Sequence, residues 1–96
     1  MTERDPWAEI NRIRKSIDNV DSALIHILAE RFKLTRAVGA LKAEFKLPAS
    51  TPEREVEQVA RLRKLAAESG LDPDFAEDFI TFLIENVIQN HLKMRK

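Results

Sequence analysis

The feature that most constrains this chain is the stretch over residues 10–45, which contains no proline and carries apolar residues at alternating spacings of three and four. Its members are Ile10, Ile13, Ile17, Val20, Leu24, Ile27, Leu34, Val38, Leu41 and Phe45. This rhythm marks one face of a long helix that packs along its length against other helices. Arg31 occupies the seam position between Ile27 and Leu34, where the pattern asks for an aliphatic side chain. A buried guanidinium is costly unless an anion meets it, and that anion is either a structural carboxylate or a ligand.

Helix ends are readable from capping chemistry. Asp5-Pro6 supplies an N-cap and a proline at the first helical position, and Pro48 pushes Leu47 out of helical space. Helix one is therefore expected over about 6–46, or ~60 Å at 1.5 Å per residue. Gly39 inside it costs ~1 kcal/mol relative to alanine, which points to close helix packing or to close approach of a ligand. After a connection over residues 46–50, Thr51 and Pro52 open helix two (about 52–69), with Glu53 and Glu55 in its first turn. Its apolar face comprises Val56, Val59, Ala60, Leu62, Leu65 and Ala66, and Gly70 ends it. Asp72-Pro73 starts helix three (about 73–94), whose stripe is Phe75, Phe79, Phe82, Leu83, Val87 and Ile88, running on to His91 and Met94. No segment alternates with period two. The expected fold is all-α, three helices in one domain over residues 1–96.

Length then bears on assembly. Helix two spans ~27 Å and helix three ~33 Å, both far less than helix one, so a monomer covers only part of the seam. Soluble monomers avoid large exposed apolar stripes, and the expectation is an obligate homodimer in which the long helices of two chains pair. With 16 basic and 16 acidic residues the net charge is zero, which argues against a nucleic-acid or anionic-membrane partner. Cysteine is absent, so no disulfide or thiolate metal site is available, as suits a reducing cytosol. Residues 1–6 do not read as a signal peptide, and a cytoplasmic location is expected.

Along helix one, Arg31, Thr35, Val38 and Lys42 fall on one line, with Arg31 and Lys42 ~16 Å apart along the axis. Long side chains reaching toward each other could grip a small dianion. Arg14 lies ~25 Å from Arg31, too far for both to touch one small molecule within a chain, but a partner's Arg14 could arrive there in an antiparallel dimer. Arg54 and Glu55 sit in the first turn of helix two, whose amides also favour anions. Each residue has a bland reading as well. Arg31 could form a core ion pair, Arg14 could pair with Asp18, Lys42 could be a solvated charge, Glu55 could serve the helix dipole and His91 could be a core histidine. Their co-location favours a site. His26 and His91 lie on different helices without zinc or di-iron spacing, no glycine-rich phosphate loop is present, and no serine or cysteine stands in a nucleophile context. A cationic pocket with one carboxylate suits a reaction helped by positioning and electrostatics.

The chain resembles the all-α, AroQ-class chorismate mutases over nearly its whole length. The matching stretches are Ile13-Arg14-Lys15-Ser16-Ile17-Asp18-Asn19-Val20-Asp21, Leu28-Ala29-Glu30-Arg31, Val38-Gly39-Ala40-Leu41-Lys42, Pro52-Glu53-Arg54-Glu55 and Gly70-Leu71-Asp72-Pro73-Asp74-Phe75. The resemblance implies an intertwined dimer of three-helix chains that converts chorismate to prephenate by a [3,3]-sigmatropic rearrangement, toward phenylalanine and tyrosine, without cofactor or metal. It implies that Arg14 crosses from the other subunit and, with Arg31, binds the two substrate carboxylates. Lys42 would bond the ether oxygen, and Glu55 the substrate hydroxyl, with Arg54 and the backbone at Thr51 close by. Two positions depart from the best-known members. Thr51 stands where many have aspartate, with threonine still expected to cap the helix. On helix three His91 stands at a glutamine position and Val87 at a serine position. His91, able to donate from either ring nitrogen, is expected to be the second ether-oxygen donor, with a pH dependence where imidazole titrates. Two other functions compete. One is an isochorismate-pyruvate lyase on the same fold, suggested by the non-acidic Thr51 but disfavoured by Glu55. The other is a non-catalytic helical dimerisation module, which gives no reason for Arg31 in the seam.

Overall fold

The computed structural model describes residues 3–95, so the ends of the expected 1–96 domain and the first two residues of the N-terminal segment lie outside the described residues. Three helices form, α1 (Pro6–Glu44), α2 (Pro52–Ser69) and α3 (Pro73–Lys93), and no strand occurs among the described residues. None of these helices is long and apolar enough to cross a membrane. The chain divides into two compact units, Met1–Lys33 and Leu34–Lys96.

Capping chemistry sets the ends. Asp5 accepts from the amides of Trp7 (3.0 Å) and Ala8 (3.4 Å), satisfying two of the donors a helix start leaves open. Asp72 does the same for α3, accepting from the Asp74 amide at 2.9 Å, and proline follows each cap. Gly70 ends α2 with φ 80°, a left-handed conformation that favours glycine, and Leu71 then bonds back to the Ala66 carbonyl at 2.8 Å.

The end of α1 differs from the expected one. The helix stops at Glu44 because Lys46 takes φ 55°, and the Leu47 amide bonds back to the Lys42 carbonyl at 2.8 Å. This is the same left-handed cap that Gly70 makes, built on lysine at a cost of about 1–2 kcal/mol. Pro48 is thus not what ends the helix.

In the N-terminal unit the helix buries little of itself. The seam residues Ile13, Ile17, Val20, Leu24 and Ile27 remain exposed, from 43 % at Leu24 to 66 % at Val20. In the C-terminal unit α2 packs along α3, joined by a three-residue connection that suits antiparallel neighbours. The buried side chains are Ala66 of α2 and Ala76, Ile80, Leu83 and His91 of α3. Of the stripe expected on α3, Leu83 and His91 are buried and Val87 and Ile88 half-buried, whereas Phe75 and Phe82 are exposed and Ala76 and Ile80 are buried in their place. On α2 likewise Val56 and Leu65 are exposed while Ala66 is buried.

Gly39 is the one buried residue of α1. A Cβ at this position would lie 2.5 Å from Cδ2 and 2.9 Å from Nε2 of His91, and 2.9 Å from Sδ of Met94. Close packing, one of the two explanations for a glycine in mid-helix, is realised. The Met94 side chain can swing away, but the His91 ring is only 3 % exposed and has little room to move. Gly39→Ala gains up to ~1 kcal/mol of helix propensity and loses about 1–3 kcal/mol to overpacking. The clash should win. The variant is expected to be destabilised by about 1–2 kcal/mol in urea unfolding, whereas alanine at an unobstructed helix site would be stabilising.

Candidate active site

In the C-terminal unit, the turn between α1 and α2 gathers the polar groups. The Lys42 ammonium donates to the Ala49 carbonyl at 3.1 Å and to the Thr51 hydroxyl at 3.2 Å. One oxygen of Glu55, Oε2, accepts from the Ser50 hydroxyl at 2.7 Å and from the Thr51 amide at 3.1 Å. Lys42 and Glu55, thirteen positions apart in sequence, are thereby tied to the consecutive residues 49–51 and share Thr51 as a partner. Both are half-buried. Lys42 is not a freely solvated charge, and Glu55 does more than serve the helix dipole.

Thr51 does not cap α2 in the expected way. Its side chain makes no capping bond, because the hydroxyl is turned to Lys42, and its own amide is satisfied by Glu55. The remaining expected residues of this unit stand apart from that cluster. Arg54 is exposed in the first turn of α2 and forms no hydrogen bond or ion pair among the described residues, and Val87 is half-buried on α3.

His91 is placed from α3 against the last turns of α1, with Nε2 2.9 Å from the Thr35 carbonyl oxygen. A carbonyl can only accept, so the proton of the neutral ring sits on Nε2, and Nδ1 is left as an acceptor. Nδ1 is buried and has no hydrogen-bond partner among the described residues. The expectation that either ring nitrogen can donate is thus narrowed: only Nδ1 is available, and it donates only when the ring is an imidazolium.

Arg14 and Arg31 belong to the N-terminal unit. Arg14 is exposed and makes no ion pair with Asp18 among the described residues. Arg31 is half-buried, and its Nη1 is fully buried without a hydrogen-bond partner among the described residues. No carboxylate of the described residues pairs with it, which removes the core ion pair as its explanation within one chain. A buried unpaired cation donor is a position that calls for an external anion.

A cleft of about 350 Å³ opens between α2 and α3, lined by Val56, Val59, Ile84 and Ile88 with Glu55, Thr81 and Glu85. Glu55 is common to this cleft and to the turn, but Lys42 stands only at the turn, so the turn rather than the cleft is where a cation and a carboxylate come together.

Ser50 and the carbonyls of Ala49 and Thr35 were not visible as site groups in the sequence. Ser50 is one of four serines and carries no motif of its own, and backbone acceptors leave no signature in side-chain pattern.

Residues 13–92 match the family model described as chorismate mutase type II, a span that includes every expected site residue. Among curated relatives, the chain is 42 % identical over 73 residues to a T-protein of Enterobacter agglomerans, covering 76 % of this chain and 20 % of that protein. It is 33 % identical over 78 residues to a chorismate mutase of Methanocaldococcus jannaschii, covering 81 % of this chain and 79 % of that one. It is also 30 % identical over 90 residues to a bifunctional chorismate mutase/prephenate dehydratase of Aquifex aeolicus, covering 92 % of this chain and 24 % of that protein. The chain thus spans only about a fifth of the T-protein but most of the Methanocaldococcus jannaschii chorismate mutase. With α2 and most of α1 and α3 inside the match, and the lysine, glutamate and arginines among the matched residues, the chain belongs to the type II chorismate mutase family.

Proposed function

We propose that this chain rearranges chorismate to prephenate in the cytoplasm, as a homodimer in which Arg14 of each subunit completes the site of the other. The observation that carries the reading is Arg31. Its guanidinium is buried at Nη1 without a hydrogen-bond partner among the described residues, on the exposed-seam helix of a chain of the type II chorismate mutase family. Arg14 and Arg31 bind the two carboxylates of the substrate, with Arg54 nearby. Lys42 donates to the ether oxygen, where negative charge grows as the C–O bond lengthens, and so binds the transition state more tightly than the substrate. Glu55 accepts from the substrate hydroxyl, beside the backbone at Thr51. His91 is the second ether-oxygen donor, with Val87 lining the site beside it. The protein makes no covalent bond to the substrate. It holds the enolpyruvyl arm over the ring, removing the entropy of finding that geometry, and stabilises the separating charge. The exposed seam on α1 supports pairing with a second copy, since a stripe of that length is one that soluble monomers avoid. The decisive test of the activity is incubation with chorismate and, separately, isochorismate. Prephenate from the first supports the mutase, while pyruvate from the second alone would make the chain a lyase.

Removing the buried cation should separate activity from stability. Arg31→Leu is expected to lower kcat/KM by at least ~100-fold, the order seen when one preorganised donor is lost. It should leave the unfolding midpoint unchanged or raised, because a desolvated unpaired group is replaced by an aliphatic one.

The shared site can be tested by mixing two inactive variants. Arg14→Ala and Lys42→Ala homodimers should each be inactive, yet after unfolding and refolding together should recover roughly a quarter of wild-type activity, since half of random dimers are mixed and each carries one intact site. No recovery would place Arg14 in the same chain's site or outside it.

The role of His91 can be tested by substitution. Thr35 occupies Nε2, and Gly39 and Met94 flank the ring. His91→Ala is expected to lower kcat/KM on chorismate, and His91→Gln, which keeps a side-chain donor, to retain more of it. Full activity of His91→Ala would remove His91 from the mechanism.

A further inference from the structure

The turn between α1 and α2 presents two acceptors and two donors, and it sorts them by charge. The Ala49 carbonyl and Thr51 hydroxyl take two of the three N–H bonds of the Lys42 ammonium, leaving it one donor. The Ser50 hydroxyl and the Thr51 amide both donate to Oε2 of Glu55, leaving Oε1 without a partner among the described residues. Each charged group therefore keeps a single direction in which to act. Rotation of a glutamate carboxylate about its last bond is soft, and one donor on one oxygen lets the group swing about that contact. A second donor converging on the same oxygen fixes its plane. The amide contact comes from the backbone of the Thr51 N-cap and does not depend on Ser50. The shorter bond, at 2.7 Å, is the one from the serine.

We propose that Ser50 is a positioning residue for the reaction. Its hydroxyl turns the Glu55 carboxylate so that Oε1 meets the hydroxyl of chorismate. The inference rests on the chorismate mutase reading of this site. The substrate hydroxyl is bound in the ground state and the transition state alike, so its loss weakens binding without slowing the chemical step. A residue that only supported the fold would lower the active fraction or the melting temperature and leave KM alone.

The test measures kcat and KM separately for wild type, Ser50→Ala, Ser50→Thr and Ser50→Cys, with thermal melts of each. Two substrates are used: chorismate and an analogue in which hydrogen replaces the ring hydroxyl. On chorismate, Ser50→Ala should raise KM roughly tenfold with kcat within about twofold, a loss on the scale of one charge-assisted hydrogen bond. Ser50→Thr should restore KM, and Ser50→Cys, a poor donor of nearly serine's size, should behave as alanine does. On the analogue, wild type and Ser50→Ala should be equal. Unchanged KM in both the alanine and cysteine variants, or the same loss on the analogue as on chorismate, overturns the role of Ser50 while the reaction stands. A wild type that fails to turn over chorismate overturns the reaction and this role with it.

Discussion

Apolar surface left in water costs about 25 cal/mol for each Å². Along α1, from Ile13 to Leu41, a single chain leaves most of the seam in contact with water. The C-terminal unit does not share this problem in the same degree, because α2 and α3 bury Ala66, Ala76, Ile80 and Leu83 against each other. The small size of two of those four residues shows how little aliphatic volume one chain encloses. The exposed phenylalanines of α3 repeat the pattern of the seam. The proposed dimer would give the α1 seam cover, and the same association would carry Arg14 from one chain to the other's substrate.

Electrostatics follows a related logic. Arg31, Lys42, Glu55 and His91 are each left incompletely satisfied among the described residues, at Nη1, at one ammonium proton, at Oε1 and at Nδ1. In a fold selected for stability alone, such groups would be paired or replaced by aliphatic ones. The bonds that are made restrict rotation. Preorganisation of this kind acts before the reaction, so little need be rearranged as charge separates.

Much of this was legible in the sequence, for identifiable reasons. Asp5-Pro6 and Asp72-Pro73 announce helix starts because the cap and the fixed proline φ act locally, and Gly70 marks a left-handed end for the same reason. The end of α1 was not legible, since lysine at φ 55° has no sequence signal and Pro48 offered a plausible stop further on. The buried face of α3 was legible only in part, because two apolar lines run side by side: Leu83 and His91 are buried as expected, while Ala76 and Ile80 rather than Phe75 and Phe82 complete the face within one chain. At the site, Lys42, Glu55, Arg31 and His91 stood out as residue types in a matching order. Which hydroxyl serves which charge depends on the three-dimensional course of residues 46–51, and spacing does not carry that information. Thr51 shows the point, as a cap by sequence whose oxygen is committed elsewhere.

Surface connections are ordinarily where a fold tolerates drift, through insertions, deletions and exchange of one polar residue for another. The stretch from Lys46 to Thr51 has lost that freedom. Lys46 supplies a left-handed turn, Leu47 an amide to close the helix, Ala49 a carbonyl, Ser50 a hydroxyl and Thr51 both an amide and a hydroxyl. One inserted residue would shift every later group out of register with Lys42 and Glu55 while leaving all three helices intact. Changes of length here would therefore show up as lost turnover in a well-folded protein, so this linker should be among the least variable in length of any segment in related chains.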